Sequence, residues 1–292
     1  MSIRLEALDF GRLGELRHLT YPAVWSTVSQ RFASSVRAIA TRTSDETAGL
    51  ALALPGPSGQ FELLSVYVLP MFRRIGFGTA MLRALEEDFR SRDYRLGVHF
   101  LRVDERDQGN ARFFIAGGWS RPAVHKLICN STMTQAFQTP WLTGASLPDR
   151  YGIVDWRALS DAQRDALGDE LDGRIADDVN PFLHEVNCHW PTSVALVDND
   201  GGVVRGWVIT HQIDDGTLRW SCSFVQPRLQ ATALIRALWL EVAQRQRAFP
   251  PLADFIFTIP VTEERMARFA LRRMRPWLSG LAYACTTMKR VA

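Results

Sequence analysis

Apolar positions along the chain switch between strand-like and helix-like spacing, and the switches mark out elements in order. Val36 to Thr41 and Ala48 to Leu54 are apolar runs of strand length around the polar turn Ser44-Asp45-Glu46, which predicts a hairpin. Phe61 to Leu69 is a further strand, closed by Pro70. From Thr79-Ala80-Met81-Leu82 to Arg90 the pattern is that of a long amphipathic helix. A polar turn, Arg92-Asp93-Tyr94, precedes a strand over Leu96 to Val103. The polar loop Asp104 to Gly109 then leads into a short helix from Asn110 that ends at Gly117-Gly118-Trp119. Ahead of all of these, Ile3-Arg4-Leu5 predicts a short strand and Leu13 to Leu19 a helix.

The succession returns about 155 residues later. Ala111-Arg112-Phe113 recurs as Ala267-Arg268-Phe269, and Trp119 as Trp277 after a two-residue insertion. The strand ending Cys129-Asn130-Ser131-Thr132-Met133 recurs as Cys285-Thr286-Thr287-Met288. The turn at Asp45 has a counterpart in Asn199-Asp200-Gly201-Gly202, and the strand at 61–68 in Leu218 to Phe224. Tyr151 to Val154, followed by a helix over Ala162 to Leu171, opens the second copy. A chain of 292 residues has room for two domains of ~150 residues, each able to bury a core. The expected division is 1–135, a linker at 136–150 broken by Pro140, Gly144 and Pro148, and 151–292.

Between the strand at 61–69 and the helix at 79–90 stands Arg73-Arg74-Ile75-Gly76-Phe77-Gly78. A helix start presents unpaired N–H groups and the positive end of the macrodipole. Glycines there remove the Cβ atoms that would hold an anion away, and two arginines add mobile positive charge. This is the chemistry of a pyrophosphate cradle. A Walker loop is excluded, because Lys126 and Lys289 are the only lysines. A dinucleotide fingerprint needs a third glycine where Ala80 or Met81 stands.

The string Val68-x-Pro70, two residues, Arg73-x-x-Gly76-x-Gly78 and a helix resembles motif A of the GCN5-related N-acetyltransferases, the GNAT family. Asn110 to Trp119 is similar to the family's other signature, a short helix ending in Gly-Phe. The resemblance implies an α/β (α+β) fold of two tandem GNAT-like domains, as in proteins of the mycothiol synthase type. Each would have a mixed, mostly antiparallel sheet with a splayed central strand pair and flanking helices. It implies that Arg73, Arg74, Ile75, Gly76, Phe77, Gly78 and Thr79 hold the pyrophosphate of acetyl-CoA or another acyl-CoA. Val66 and Val68 would meet the pantetheine arm beside a bulge, and a main-chain N–H near Val68 would receive the thioester oxygen. In the second copy the turn reads Arg228-Leu229-Gln230-Ala231-Thr232 without either glycine, so weak or no acyl-CoA binding is expected there.

Acyl transfer to an amine needs a base, because an ammonium has no lone pair, and a proton for the leaving thiolate. Glu62 lies where histone-acetyltransferase-type members place a catalytic glutamate, and on a regular strand it shares a face with Leu64, Val66 and Val68. Its two readings are a general base raised in pKa by desolvation, or a solvent-facing carboxylate at the strand's start. Alignment with the family puts Phe114 where a tyrosine commonly serves as acid, and phenylalanine donates no proton. Water, Tyr67, Ser65 or His99 would then serve, or no transfer occurs. The resemblance also makes Asn110 and Phe114 candidates for contact with the coenzyme, although Asn110 is offset from the family's asparagine and has a second reading as a cap for a helix at 111. Residues 177–190 hold His184, His189, Cys188 and several carboxylates without a metal-ligand spacing, and read as an acceptor-binding or interdomain loop or as a surface loop.

Charge narrows the partners. A formal net charge of +3 with interspersed signs gives no basic stripe, which argues against nucleic acid. No apolar run reaches membrane-span length, and Met1-Ser2-Ile3-Arg4-Leu5-Glu6 is not a signal peptide, so a cytoplasmic protein is expected. Cys129, Cys188, Cys222 and Cys285 read as reduced core residues, and no metal is expected. The sequence thus points to an N-acyltransferase acting on a small-molecule amine by direct attack, with a homodimer left open. The rivals are a non-catalytic acyl-CoA-binding or partner-binding module, an O-acyltransferase, or activity in the second copy.

Overall fold

The computed structural model describes residues 4–31, 33–44, 46–230 and 232–291. Ile3, Asp45 and Ala231, assigned above to a strand and two turns, lie outside the described residues. In chain order the strands are β1 Arg4–Leu8, β2 Arg37–Arg42, β3 Thr47–Pro55, β4 Gln60–Val68, β5 Leu96–Asp104, β6 Ala123–Thr132, β7 Tyr151–Asp155, β8 Val194–Asp198, β9 Val204–Gln212, β10 Thr217–Val225, β11 Asp254–Pro260 and β12 Gly280–Arg290. The longer helices are α1 Pro22–Arg31, α2 Phe77–Arg90, α3 Gly109–Ala116, α4 Asp161–Leu171, α5 Leu234–Arg247 and α6 Glu264–Phe269. No helix among the described residues is long and apolar enough to cross a membrane.

Two units form, Met1–His125 with Tyr283–Ala292, and Lys126–Ala282. These limits differ from the division at 135 and 151 read from the sequence. The reason is pairing: β6 runs antiparallel to β11 from Lys126↔Pro260 to Thr132↔Asp254, within the second unit. The expected linker also carries core residues. Met133–Phe137 and Pro140–Thr143 are helical turns, and Met133, Ala136 and Leu142 join the apolar core of the second unit.

In the first unit the strand order is β1-β2-β3-β4-β5-β12. β1 to β4 are successively antiparallel, including the expected hairpin β2–β3, while β4 and β5 are parallel. One face packs Phe61, Leu63, Leu101 and Val103 against Met81, Leu82, Leu85 and Phe89 of α2 and Phe114 of α3. The other buries Leu50, Leu52 and Leu54 under Leu13, Leu19 and Val28. Gly14 to Leu19 is a 3-10 run rather than the expected helix, although Leu13 and Leu19 are fully buried. α1, which follows it, carries Ser26, Thr27, Ser29 and Gln30 and shows little apolar periodicity in the sequence.

The first unit is clasped by its C-terminal strand. Glu86 of α2 is buried, accepts from Trp119 Nε1 (2.9 Å) and from Lys289 Nζ (2.6 Å), and Lys289 also donates to the Gly117 carbonyl (2.8 Å). Removing one partner of such a pair strands the other charge. Lys289→Ala is expected to cost roughly 2–3 kcal/mol in urea unfolding, less than the ~3–5 kcal/mol of a fully buried pair. The discount reflects the lysine's residual exposure of 22%. Glu86→Gln combined with Lys289→Met should recover most of the loss.

The second unit repeats the plan, with strand order β6-β11-β10-β9-β8-β7 and a parallel pair, β10–β11. Its β9–β10 ladder slips between Trp220 and Cys222, leaving Ser221 as an extra residue. The β3–β4 ladder slips in the same way at Leu64, which supports the internal repeat. The insertion before Trp277 coincides with a π-helical turn, Ala270–Met274, which accommodates extra residues within a helix. All four cysteines are free and buried, and burial pushes the Cys129 and Cys222 thiols up to about 12.

Candidate coenzyme and acceptor site

The turn between β4 and α2 leaves its amides unspent. α2 begins at Phe77, two residues earlier than its apolar pattern suggests, with Gly76 as N-cap at φ 96. That conformation suits glycine, which has no Cβ to clash. The first helical bond runs from Ala80 N–H to the Gly76 carbonyl (2.9 Å), so the N–H groups of Phe77, Gly78 and Thr79 have no acceptor within the helix. No side chain caps the helix, and its first turn holds no acidic residue. Arg74 sits at φ 64, a conformation costing ~1–2 kcal/mol for a residue with a Cβ. It is exposed beside Ile75, next to the positive helix end.

Arg73 has a different position from its neighbour. Its Nε donates to the Val68 carbonyl (2.9 Å) and its guanidinium lies 5.7 Å from the centre of the Tyr67 ring. It therefore ties the turn to the end of β4 as well as adding charge. Phe77 is buried and tilts against Phe72 at 5.8 Å, anchoring the helix start from beneath. A Cβ on Gly78 would come within 3.2 Å of Phe113 and 3.6 Å of Val68. The second glycine is thus needed for a close approach, and Phe113 joins the site although the sequence did not single it out.

β4 and β5 pair only from Gln60↔Leu96 to Leu63↔His99 and then part. Leu69 N–H bonds to the Ala48 carbonyl on the β3 side (2.9 Å). Because successive N–H groups on a strand point to opposite edges, those of Val68 and Val66 face the opening. Both expected pantetheine contacts are therefore placed along one open edge that leads to the turn.

The bulge at Leu64 alters the expected position of Glu62. Ser65 stands opposite Leu52 and Leu63 opposite Ala53, so the side-chain alternation slips by one residue between them. Val66 and Val68 pack with the α2 core, whereas Leu64 and Tyr67 pack with the opposite one. The expectation that Glu62 shares a face with Val66 and Val68 is thus corrected. Glu62 instead lines a small hollow of about 270 Å³ with Ala23, Val24 and Thr27 of α1 and Leu64 and Phe100. The carboxyl is half-buried and desolvation raises its pKa above the ordinary carboxylate value. Phe100 is 61% exposed beside it, on a strand position whose neighbour in alternation is Arg102. An aromatic residue on that polar face was a legible hint that the sequence reading passed over.

Phe114 is buried against His99 (4.5 Å), Phe113 (5.0 Å) and Trp119 (5.6 Å). Of the stand-ins for a missing acid, Ser65 is buried in a hydrogen bond with Thr20 (3.0 Å). His99 Nδ1 lies 2.6 Å from the Leu63 carbonyl, which can only accept, so that nitrogen carries the proton. Desolvation lowers the pKa of His99, keeping it neutral with Nε2 unprotonated and unable to donate. Asn110 is exposed at the second position of α3, whose N-cap is Gln108; it does not cap the helix as expected.

The second unit's turn lacks both glycines and repeats the bonds that Phe72 N–H makes to Leu69 and Arg73 N–H to Pro70 in the first. Leu229 N–H bonds to Gln226, Gln230 N–H to Pro227 and Thr232 N–H to Leu229. Arg228 is the only basic residue from Gln226 to Leu234. The segment 177–190 wraps β9 and β10, with His189 N–H bonded to the Thr210 carbonyl (2.7 Å) and Asp178 paired with Lys126 (2.7 Å). Among the described residues, no group of three or more His, Cys, Asp or Glu side chains could hold a metal ion.

These features agree with known proteins. The profile of the Acetyltransferase (GNAT) family matches residues 12–117. No curated protein sequence matches the chain. A tandem GNAT protein from the clavulanic acid biosynthesis pathway, solved without AcCoA, gives a TM-score of 0.65 at 16% identity, covering 100% of this chain and 99% of that one. A GCN5-related N-acetyltransferase from Sphaerobacter thermophilus gives 0.59 at 14% identity, covering 99% and 96%. A GCN5-related glucosamine N-acetyltransferase region of a fungal multi-domain GH3 β-N-acetylglucosaminidase gives 0.54 at 13% identity, covering 98% of this chain and 38% of that one. At such identities the likeness is one of fold. The chain has the tandem GNAT fold, and its residues 12–117 match the model of the Acetyltransferase (GNAT) family.

Proposed function

We propose that the first unit transfers an acyl group, acetyl in the simplest case, from coenzyme A to the amine of a small molecule by direct attack. The observation that carries this reading is the run of unspent amides at 77–79 beside Arg74, at the open end of the β4–β5 gap. Fixed N–H donors and the helix dipole hold a diphosphate without reorganisation. The open edge of β4 then receives the pantetheine arm, with the Val66 and Val68 amides as donors.

Glu62 takes the proton of the attacking amine. The nitrogen forms its bond to the thioester carbon, the carbon–sulfur bond breaks, and the thiolate gains a proton. A strand rises ~3.3 Å per residue, so the Val68 amide lies about 20 Å from Glu62, too far to serve the same reacting centre. The Val66 amide, about 13 Å along the strand and drawn closer by the bulge, is the better carbonyl donor. With His99 neutral and Ser65 engaged, Tyr67 or water protonates the thiolate. Direct attack is favoured because the buried thiols resist ionisation and none stands at the end of β4.

The hollow beside Glu62 is small and lined by Ala23, Val24, Leu64 and Phe100, which suits a compact amine with an apolar neighbour group. A thiol-release screen across amine classes tests this. Turnover with a small primary amine is expected, while coenzyme binding without release from any amine or alcohol would favour the acyl-CoA-binding module instead. Phe114 in place of a proton donor is the observation behind that second reading.

A further inference from the structure

A wide cavity belongs wholly to the second unit. It has a volume of about 1510 Å³ and opens where β10 and β11 part beyond Trp220↔Phe257. Its walls are aromatic: Trp141, Trp220, Trp239, Phe257, Phe269 and Trp277 all line it. The Trp141 ring stands edge-on to Phe269 (5.2 Å) and Trp239 (6.3 Å), so it is held from two sides.

Two polar atoms on this wall are buried with no hydrogen-bond partner, Trp141 Nε1 and His184 Nε2. They come from different elements, the Pro140–Thr143 turn and the Pro181–His184 turn, and both residues line the one cavity. An indole N–H can only donate, so what satisfies it must bring an acceptor oxygen or nitrogen. Orphaned buried donors are rare in folded proteins and call for a partner. Phosphate is a poor candidate, because the turn at 227–232 lacks both glycines of the first unit's cradle. The charged lining residues do not impose one sign either. Lys126 is paired with Asp178, and Arg219 and Arg265 share the lining with Asp177, Glu263 and Glu264. What remains is an apolar slot with a donor at its wall.

We infer that the second unit binds a second small molecule, without a diphosphate, that has an aromatic body and a carbonyl or carboxylate oxygen accepting from Trp141 Nε1. The site is independent of the coenzyme turn and of the acyl-transfer reading. The former copy of the domain keeps its central opening as a receptor for this ligand after its phosphate cradle is gone.

The test titrates the full chain with naphthalene-2-carboxylate by calorimetry, alongside quenching of tryptophan fluorescence. Saturable one-site binding is expected. Trp141→Phe keeps the ring, removes the donor, and should weaken binding about tenfold. Ser223→Trp, which fills the slot from β10, should abolish it, while Gly76→Trp in the first unit should leave it unchanged. A cooperative melt and unchanged circular dichroism verify the fold of each variant. Absence of saturable binding, indifference to both Trp141→Phe and Ser223→Trp, or loss on Gly76→Trp would overturn the inference.

Discussion

Glu62→Gln is expected to lower turnover by about 10²–10⁴-fold while leaving acetyl-CoA affinity unchanged and making the protein more stable at neutral pH. The two effects have one cause. The side chain is partly desolvated with no cation beside it to offset the loss, so its pKa is raised in the folded state. The unfolded chain releases this proton near the ordinary value of 4.5, whereas the folded chain holds it to higher pH. In that interval the folded state binds more protons, so stability falls as pH rises. Above the raised folded value the full penalty is present, and below 4.5 it disappears. Glutamine never ionises, so the stability gain of the variant should be seen at pH 7 and vanish in acid. The wild-type rate should rise with pH through the raised Glu62 value. Chemical denaturation and pH–rate profiles measure both; full activity of the variant with an unchanged profile would show that another group is the base.

Gly76→Trp is expected to weaken acetyl-CoA binding by at least about a hundredfold, the loss of two charge-assisted amide contacts or more. Any side chain is strained at φ 96, and an indole there would lie across the amides of Phe77 and Gly78. Arg74→Glu reverses a charge at an exposed position near the helix end, so its effect should be smaller, about tenfold, and should fade as salt is raised. Arg73 is the harder residue to interpret, because its bond to the Val68 carbonyl supports the turn itself. Its substitution should lower thermal stability as well as affinity. Equilibrium dialysis with the labelled coenzyme, set against melting curves, separates the two.

The elements that the sequence made legible are those set by local pattern. The motif strand, its helix, the hairpin before it and the repeat in the second half all appear within a residue or two of expectation. What failed depends on partners distant in sequence. The bulge at Leu64 leaves no local trace, since Glu62-Leu63-Leu64-Ser65 reads as an ordinary strand, yet it moves Glu62 to the opposite face from Val66. β6 reads as the last strand of the first half, but only its pairing with β11 reveals which unit it serves. Residues 136–150 resemble a linker because proline and glycine interrupt them, while Leu142 and Trp141 find apolar partners on α5 and α6. The absence of both glycines from the second copy was legible in the sequence; the cavity there arises from a gap between strands, which no single stretch encodes.

The most direct test of the whole account is an acetyl-CoA titration of the intact chain by calorimetry. The account predicts a single site per chain that disappears in Gly76→Trp and persists in Ser223→Trp. Two equivalent sites, a lone site that responds to substitutions near 228–233 instead, or no heat of binding at all would contradict it.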